Sequence, residues 1–285
     1  MTYIEKLKNA IHQAQSLLCA GLDPDPDLFP TDILKNNRSE ADKAFAFCHQ
    51  IIEQTQASVA AYKLNAAFFE ALGKDAFQVI SDVIDAIPRD KIVIADAKRG
   101  DVPHTARRYK AAFFDRLNCD AITLSPFMGM ETLVPFLQDD HRAVYALTLT
   151  SNPGAADLML RPFEGRSSLS EYLAENFAHL ARRYPGTVGM VMGATQSDYA
   201  RPVLMAYPEA PLLIPGIGAQ GGSVRDLSLL LKEHKGPILV NVSRGLAAFD
   251  PDSSRTWKQQ ISHAVDHYKK KLLPLAGSIT VNDNP

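Results

Sequence analysis

Cysteine is scarce in this sequence: Cys19, Cys48 and Cys119 are the only three in 285 residues, far apart and odd in number. Neither a disulfide framework nor a thiolate zinc site can be laid out on that spacing, and a reducing compartment is the simplest home. No sign of charge is in excess. The 30 lysines and arginines against 32 acids leave a net −2, which gives no broad basic surface for nucleic acid, although a few residues can still build a local anion site. No apolar run approaches the roughly 18 residues of a membrane span. The first residues, "MTYIEKLKNAIHQAQSLL", place Ile4, Leu7 and Ile11 at helical spacing where a secretory leader would be continuously apolar. The expectation is a soluble, cytoplasmic protein that touches neither nucleic acid nor membrane. The histidines lack H-x-H and H-E-x-x-H spacing: His12, His49, His141, His179, His234, His263 and His267 read as surface or helix-flank residues. No histidine-built metal site is expected, while residue types alone leave a carboxylate-bound Mg²⁺ open. There is also no G-x-S-x-G elbow, no internal repeat, no low-complexity tract and no domain linker.

What is present is regular. Apolar residues make up 46% of the chain, enough for a large core. Eight short apolar runs recur: 17–22, 59–64, 91–95, 120–124, 143–149, 187–192, 211–214 and 237–240. Most are apolar on both faces, as strands of a covered parallel sheet are. Between them lie helical patterns. Leu173, Phe177, Leu180 and Tyr184 share one face, as do Trp257, Ile261, Val265, Tyr268 and Leu272; these stripes read as core packing. Eight strands alternating with helices predict an α/β protein, a single (β/α)8 TIM barrel over residues 1–285, with a doubly wound open sheet as the alternative. Residues 23–40 and 151–168 read as long loops, and the tail past Gly277 as poorly ordered.

In such a barrel, functional groups sit where strands end. The residues at those ends are polar: Asp23, Lys63, Asn65, Asp96, Lys98, Ser125, Thr150, Ser151, Gly193, Pro215, Gly216, Ser243 and Arg244. The densest stretch is "IADAKRGDVPHT", residues 94–105. On an extended chain Asp96 and Lys98 share a face and Ala97 points away. Two readings stand side by side: an ordinary ion pair followed by Asp101 as the N-cap of a helix with Pro103 in its first turn, or a charged cluster at an active rim. Lys63 interrupts an apolar run and needs a counter-charge such as Asp23 or Asp96 if buried; it could equally be a Schiff-base nucleophile or a donor to substrate. Asp23 could be a turn residue only. "PGIGAQGG", residues 215–222, and "NVSRGL", residues 241–246, follow the last two strands. There a glycine-rich backbone and the guanidinium of Arg244 could hold a phosphate; the bland alternatives are a glycine turn and a surface arginine.

Taken together, Asp96-x-Lys98-x-x-Asp101-Val102-x-x-Thr105, preceded by Asp23 and Lys63 and followed by "SNPGA" at 151–155, "PGIGAQGG" and Arg244, resembles the orotidine 5′-phosphate decarboxylase family from about residue 17 to 250. The long stretches at 23–40 and 151–168 look like its longer bacterial subgroup. The resemblance implies a (β/α)8 homodimer that uses no metal and no organic cofactor and turns orotidine 5′-phosphate into UMP and CO₂. It implies Lys63, Asp96 and Lys98 in one subunit, with Asp101 and Thr105 reaching into the partner's site. Asp23 and Lys63 would bind the ribose hydroxyls, Ser151 the pyrimidine, and Gln220 and Arg244 the phosphate, with Pro215 and Gly221 in the same substrate-binding segment. With no covalent electron sink implied, Lys98 would stabilise the C6 carbanion electrostatically and then protonate it, held charged and aimed by Asp96 and Asp101. The rivals are a Mg²⁺-dependent sugar-phosphate decarboxylase or aldolase of the hexulose-phosphate synthase type, a Schiff-base aldolase, and a non-catalytic nucleotide-binding barrel.

Overall fold

In the computed structural model, which describes residues 1–35, 38–193, 197–216 and 224–280, all eight apolar runs are strands. They are β1 (Leu18–Leu22), β2 (Ala61–Asn65), β3 (Ile92–Arg99), β4 (Ala121–Leu124), β5 (Ala143–Leu149), β6 (Thr187–Met192), β7 (Leu212–Pro215) and β8 (Ile238–Val242). Each runs parallel to the next, and β8 pairs with β1 through Leu18↔Val240, Cys19↔Asn241 and Ala20↔Val242. The sheet therefore closes, which decides for the (β/α)8 barrel over the open sheet.

Side-chain parity divides the core in two. In β3, Ile92 and Ile94 point into the barrel, while Val93, Ala95 and Ala97 face the surrounding helices. The interior is filled by such residues as Cys19, Ala61, Ala121, Tyr145 and Leu239. Tyr145 is large for this space, and Gly189 on β6 accommodates it: a Cβ there would lie 2.7 Å from the tyrosine ring. The outer layer packs Leu173, Phe177 and Leu180 of helix Leu169–Arg183, and Trp257, Ile261, Val265 and Leu272 of helix Trp257–Thr280, against the strands' outward faces. Both stripes are core, as their spacing indicated. Among the described residues no helix is long and apolar enough to cross a membrane.

Helix Tyr3–Ala14 closes the bottom of the barrel. A capping box of Thr2 and Glu5 starts it, and it buries Tyr3, Leu7, Ala10 and Ala14 in the interior cluster. The hydroxyls of Tyr3 and Tyr145 share a hydrogen bond of 3.0 Å. Lys6 Nζ donates to Asp120 Oδ1 at 2.6 Å, and Asp120 Oδ2 accepts the Val93 N–H at 2.8 Å.

Several local expectations change. The stretch 23–40 contains a 3-10 turn at Pro26–Leu28 and a short helix at Thr31–Leu34; 151–168 contains helix Ala155–Leu158 and a Phe163–Arg166 bridge. The last helix runs to Thr280, and the tail beyond it lies outside the described residues. His234 is buried, not on the surface. Its Nε2 donates to the Ala210 carbonyl at 2.9 Å, and burial pushes its imidazole down to about 4.

Candidate active site

One inward step beyond the apolar interior, the same strands turn polar. Parity carries β2 from Ala61 to Lys63, β3 from Ile94 to Asp96, β4 from Ala121 to Thr123 and β8 from Leu239 to Asn241. These side chains, with Leu147, Val191 and Leu213, line a cavity of about 400 Å³ at the C-terminal mouth. That volume suits a small ligand, for which about 300–1,000 Å³ is usual.

β3 delivers its charges through a bulge. Ile94 pairs with Ala121 and Ala95 with Ile122, but the next pairing is Arg99 with Leu124. Residues 96–98 therefore all stand opposite Thr123. Within the bulge Lys98 takes φ +47°, the left-handed region, which costs a non-glycine residue on the order of 1 kcal/mol. The bulge puts both Asp96 and Lys98 on the cavity and turns Ala97 into the outer core.

Asp96 is the hub. Its Oδ2 accepts from Lys63 Nζ at 2.6 Å. Its Oδ1 accepts from Lys98 Nζ at 2.6 Å and from Thr123 Oγ1 at 2.9 Å. Burial opposes ionisation of this carboxyl, but the two ammonium groups and their hydrogen bonds outweigh it and hold it down at about 2. Burial likewise works against the Lys63 ammonium; Asp96 first, then Asp23, reverse that and raise it. Lys63 is thus a buried cation with its counter-charge, as its position inside an apolar strand required. The Lys98 side chain is 49% exposed, so its ammonium faces the cavity.

Asp23, Ser151, Pro215 and Arg244 line the same cavity. Asp23 Oδ1 and Asn241 Oδ1 are buried with no hydrogen-bond partner among the described residues. An orphaned buried acceptor costs about 1–3 kcal/mol, a deficit that a hydroxyl- or amide-bearing ligand would remove. Arg244 opens helix Arg244–Ala247 and is exposed at the rim. Gln220 and Gly221 lie outside the described residues; just before them Gly216 takes φ +94°, as a turn leaving β7 requires.

Asp101 and Thr105 are not among the cavity's lining residues. The N-cap expected at Asp101 falls instead on Val102, with no side-chain cap bond; Asp101 Oδ1 accepts the Val102 N–H at 2.8 Å. The reason is Pro103, which forces the residue before it into extended backbone (Val102 ψ 152°) and shifts the helix start by one.

Thr123 sits inside an expected apolar run and Asn241 in the stretch whose evident anion ligand is Arg244, so neither carries a role in the sequence. Alternation within the strands would have found them, since each lies two positions beyond an interior apolar residue. The cavity's central carboxylate has both oxygens taken by cations, a poor donor set for a metal. Among the described residues, the group of three able to share an ion is Asp139, Asp140 and His141, which precedes β5 at the opposite end.

Residues 16–259 match the family model described as "Orotidine 5'-phosphate decarboxylase / HUMPS family". A relative from Dehalococcoides mccartyi (strain CBDB1), named orotidine 5'-phosphate decarboxylase, is 38% identical over 95% of this chain and 100% of its own. The solved structure of a Leishmania donovani OMP decarboxylase is 33% identical, with a TM-score of 0.79 over 97% of this chain and 99% of that one. A structure of a Toxoplasma gondii protein, titled as a putative orotidine-monophosphate-decarboxylase, has a TM-score of 0.86 at 29% identity and covers 99% of both chains. With the barrel closed, the motif residues converging on one cavity and the match spanning nearly all of the chain, this protein belongs to the orotidine 5'-phosphate decarboxylase / HUMPS family.

Proposed function

We propose that this protein decarboxylates orotidine 5′-phosphate to UMP and CO₂, the last step of UMP synthesis. The observation that carries the reading is the Asp96 carboxylate held between Lys63 and Lys98, with Lys98 open to the cavity. The C6–carboxylate bond breaks, CO₂ leaves, and the electron pair stays on C6 in an in-plane orbital. Lys98 stabilises that charge and transfers a proton from Nζ to C6; solvent then reprotonates the amine. A fixed ammonium in a partly enclosed site does this without reorganising water. Asp23 and Lys63 bind the ribose hydroxyls, which would satisfy the orphaned Asp23 oxygen. Ser151 meets the pyrimidine. Arg244, with Pro215, Gln220 and Gly221, holds the phosphate, whose binding energy is then available at the remote reacting carbon.

The active unit is a homodimer in which Asp101 and Thr105 enter the partner's site. Two observations support this: both residues lie off their own subunit's cavity, and the Val102 between them is half exposed. The cytoplasm is the proposed location, and the three buried, unpaired cysteines agree with it. The Mg²⁺-dependent sugar-phosphate reading is disfavoured by the occupied oxygens of Asp96.

The test is the ultraviolet loss of orotidine 5′-phosphate with purified protein, with and without EDTA. Turnover indifferent to EDTA is expected. Turnover lost with EDTA and restored by Mg²⁺ would replace this mechanism with the metal-dependent one. Mixing Lys98→Ala and Asp101→Ala proteins, each inactive alone, should restore turnover by forming hybrid dimers.

A further inference from the structure

The bulge in β3 creates a problem that one side chain on β4 solves. Opposite Thr123, β3 spends residues 96–98 without a partner on β4, since pairing jumps from Ala95↔Ile122 to Arg99↔Leu124. The Lys98 N–H would have no strand acceptor there, and Lys98 also carries the unfavourable φ of +47°. Thr123 Oγ1 accepts that N–H at 2.9 Å and donates its own proton to Asp96 Oδ1 at 2.9 Å. The same Asp96 oxygen receives Lys98 Nζ at 2.6 Å. The result is a closed ring: Lys98 backbone to hydroxyl, hydroxyl to carboxylate, carboxylate to Lys98 ammonium.

We infer that Thr123 is a positioning residue for the reaction, holding the Lys98 main chain and the Asp96 carboxylate in one register so that the ammonium is presented to the reacting carbon. This rests on the decarboxylase reading above. Packing does not call for the hydroxyl. Thr123 is fully buried, and valine has its branched shape without the hydroxyl. Both hydrogen bonds of the hydroxyl are spent on the two residues nearest the chemistry. Serine keeps donor and acceptor; valine keeps the shape and loses both.

The experiment measures wild type, Thr123→Val and Thr123→Ser for turnover of orotidine 5′-phosphate, with UMP affinity by calorimetry and a thermal melt. In Thr123→Val, kcat should fall by about tenfold or more, as loss of register at a reacting group does. KM and UMP affinity should move by less than about threefold, because Asp23, Ser151 and Arg244 are untouched. Thr123→Ser should recover kcat to within about threefold of wild type. If Thr123→Val does not stay folded at the assay temperature, Thr123→Ala deletes the same hydroxyl and carries the test. A wild type that turns over, with a hydroxyl-deleted variant of equal kcat, overturns the positioning role and leaves the decarboxylase reading standing. So does a serine variant as slow as valine, or a loss confined to UMP affinity. A wild type without turnover overturns the decarboxylase reading, and the positioning role with it.

Discussion

Ala61, Ile94, Ala121 and Tyr145 meet the plugging helix through Tyr3 and Leu7 at one end of the barrel interior. One inward step along three of these strands, Lys63, Asp96 and Thr123 form a buried ionic cluster. At the bottom, the phenols of Tyr3 and Tyr145 satisfy each other, and removing both hydroxyls would leave a packed apolar layer. At the mouth, each polar group holds another in a charged state. Lys63 stays an ammonium because of Asp96, and Asp96 stays a carboxylate because of Lys63 and Lys98. The lower layers gain stability from burial, whereas the top layer keeps buried charges, which seldom add stability over apolar packing of the same shape. It is retained for what the charges do.

The sharpest way to break this contrast is Lys98→Ala. Its ammonium is half exposed and carries no core packing, so turnover should vanish while melting temperature and dimer mass stay near wild type; substantial residual decarboxylation would remove Lys98 as proton donor. Asp96→Asn should be next in size and should lower stability as well as turnover. It leaves the buried Lys63 cation without its counter-charge, a loss of about 3–5 kcal/mol, read from the urea midpoint. A merely surface-like change of midpoint would show the cluster to be structurally idle.

His234 lies outside this contrast and sharpens it by pH. Its folded value of about 4 lies below the 6.5 of an unperturbed imidazole. The unfolded chain therefore takes up a proton first as pH falls, and the stability His234 contributes is complete above about 6.5 and is lost between there and 4. His234→Gln should flatten the fall in unfolding free energy between pH 7 and 5, read from urea midpoints, by on the order of 2 kcal/mol, while the Asp96 contribution, present above 3.8, is lost only as pH approaches about 2. Equal slopes in the two proteins would refute the assignment. Smallest in its effect on turnover, Tyr3→Phe should leave kcat unchanged and cost about 1–3 kcal/mol of stability, because the buried Tyr145 hydroxyl loses its partner, measured by urea midpoint and assay side by side.

The barrel was legible because its strands, buried on both faces, read as continuous apolar runs, and β5 and β6 fall at their expected limits. Elsewhere the limits move by a residue or two, and the largest slip is where function intrudes. β3 was expected to stop at Ala95 and runs to Arg99, because a bulged strand that carries charges no longer looks like a strand. Asp23, Lys63, Asp96, Lys98, Ser151, Pro215 and Arg244 were found from composition at strand ends and do converge. Thr123 was not: alternation from Ala121 places it on the inner face, but its role comes from a register shift between two strands that the sequence does not show. Of the two readings of Asp101, the helix cap does not hold: Asp two positions before proline imitates a helix start, while the proline itself moves that start one residue on. His234 looked exposed because its partner, the Ala210 carbonyl, is 24 positions away in the chain.

The seam between β1 and β8 has a consequence for biosynthesis. Until Ile238–Val242 leaves the ribosome, Leu18–Leu22 and Leu212–Pro215 are unprotected edges of a nascent sheet. Lys63, Asp96 and Lys98 have by then long been translated, so the acid–base cluster waits on the last-made strand for its enclosure. Chains halted before that point would present two sticky borders to chaperones or to one another.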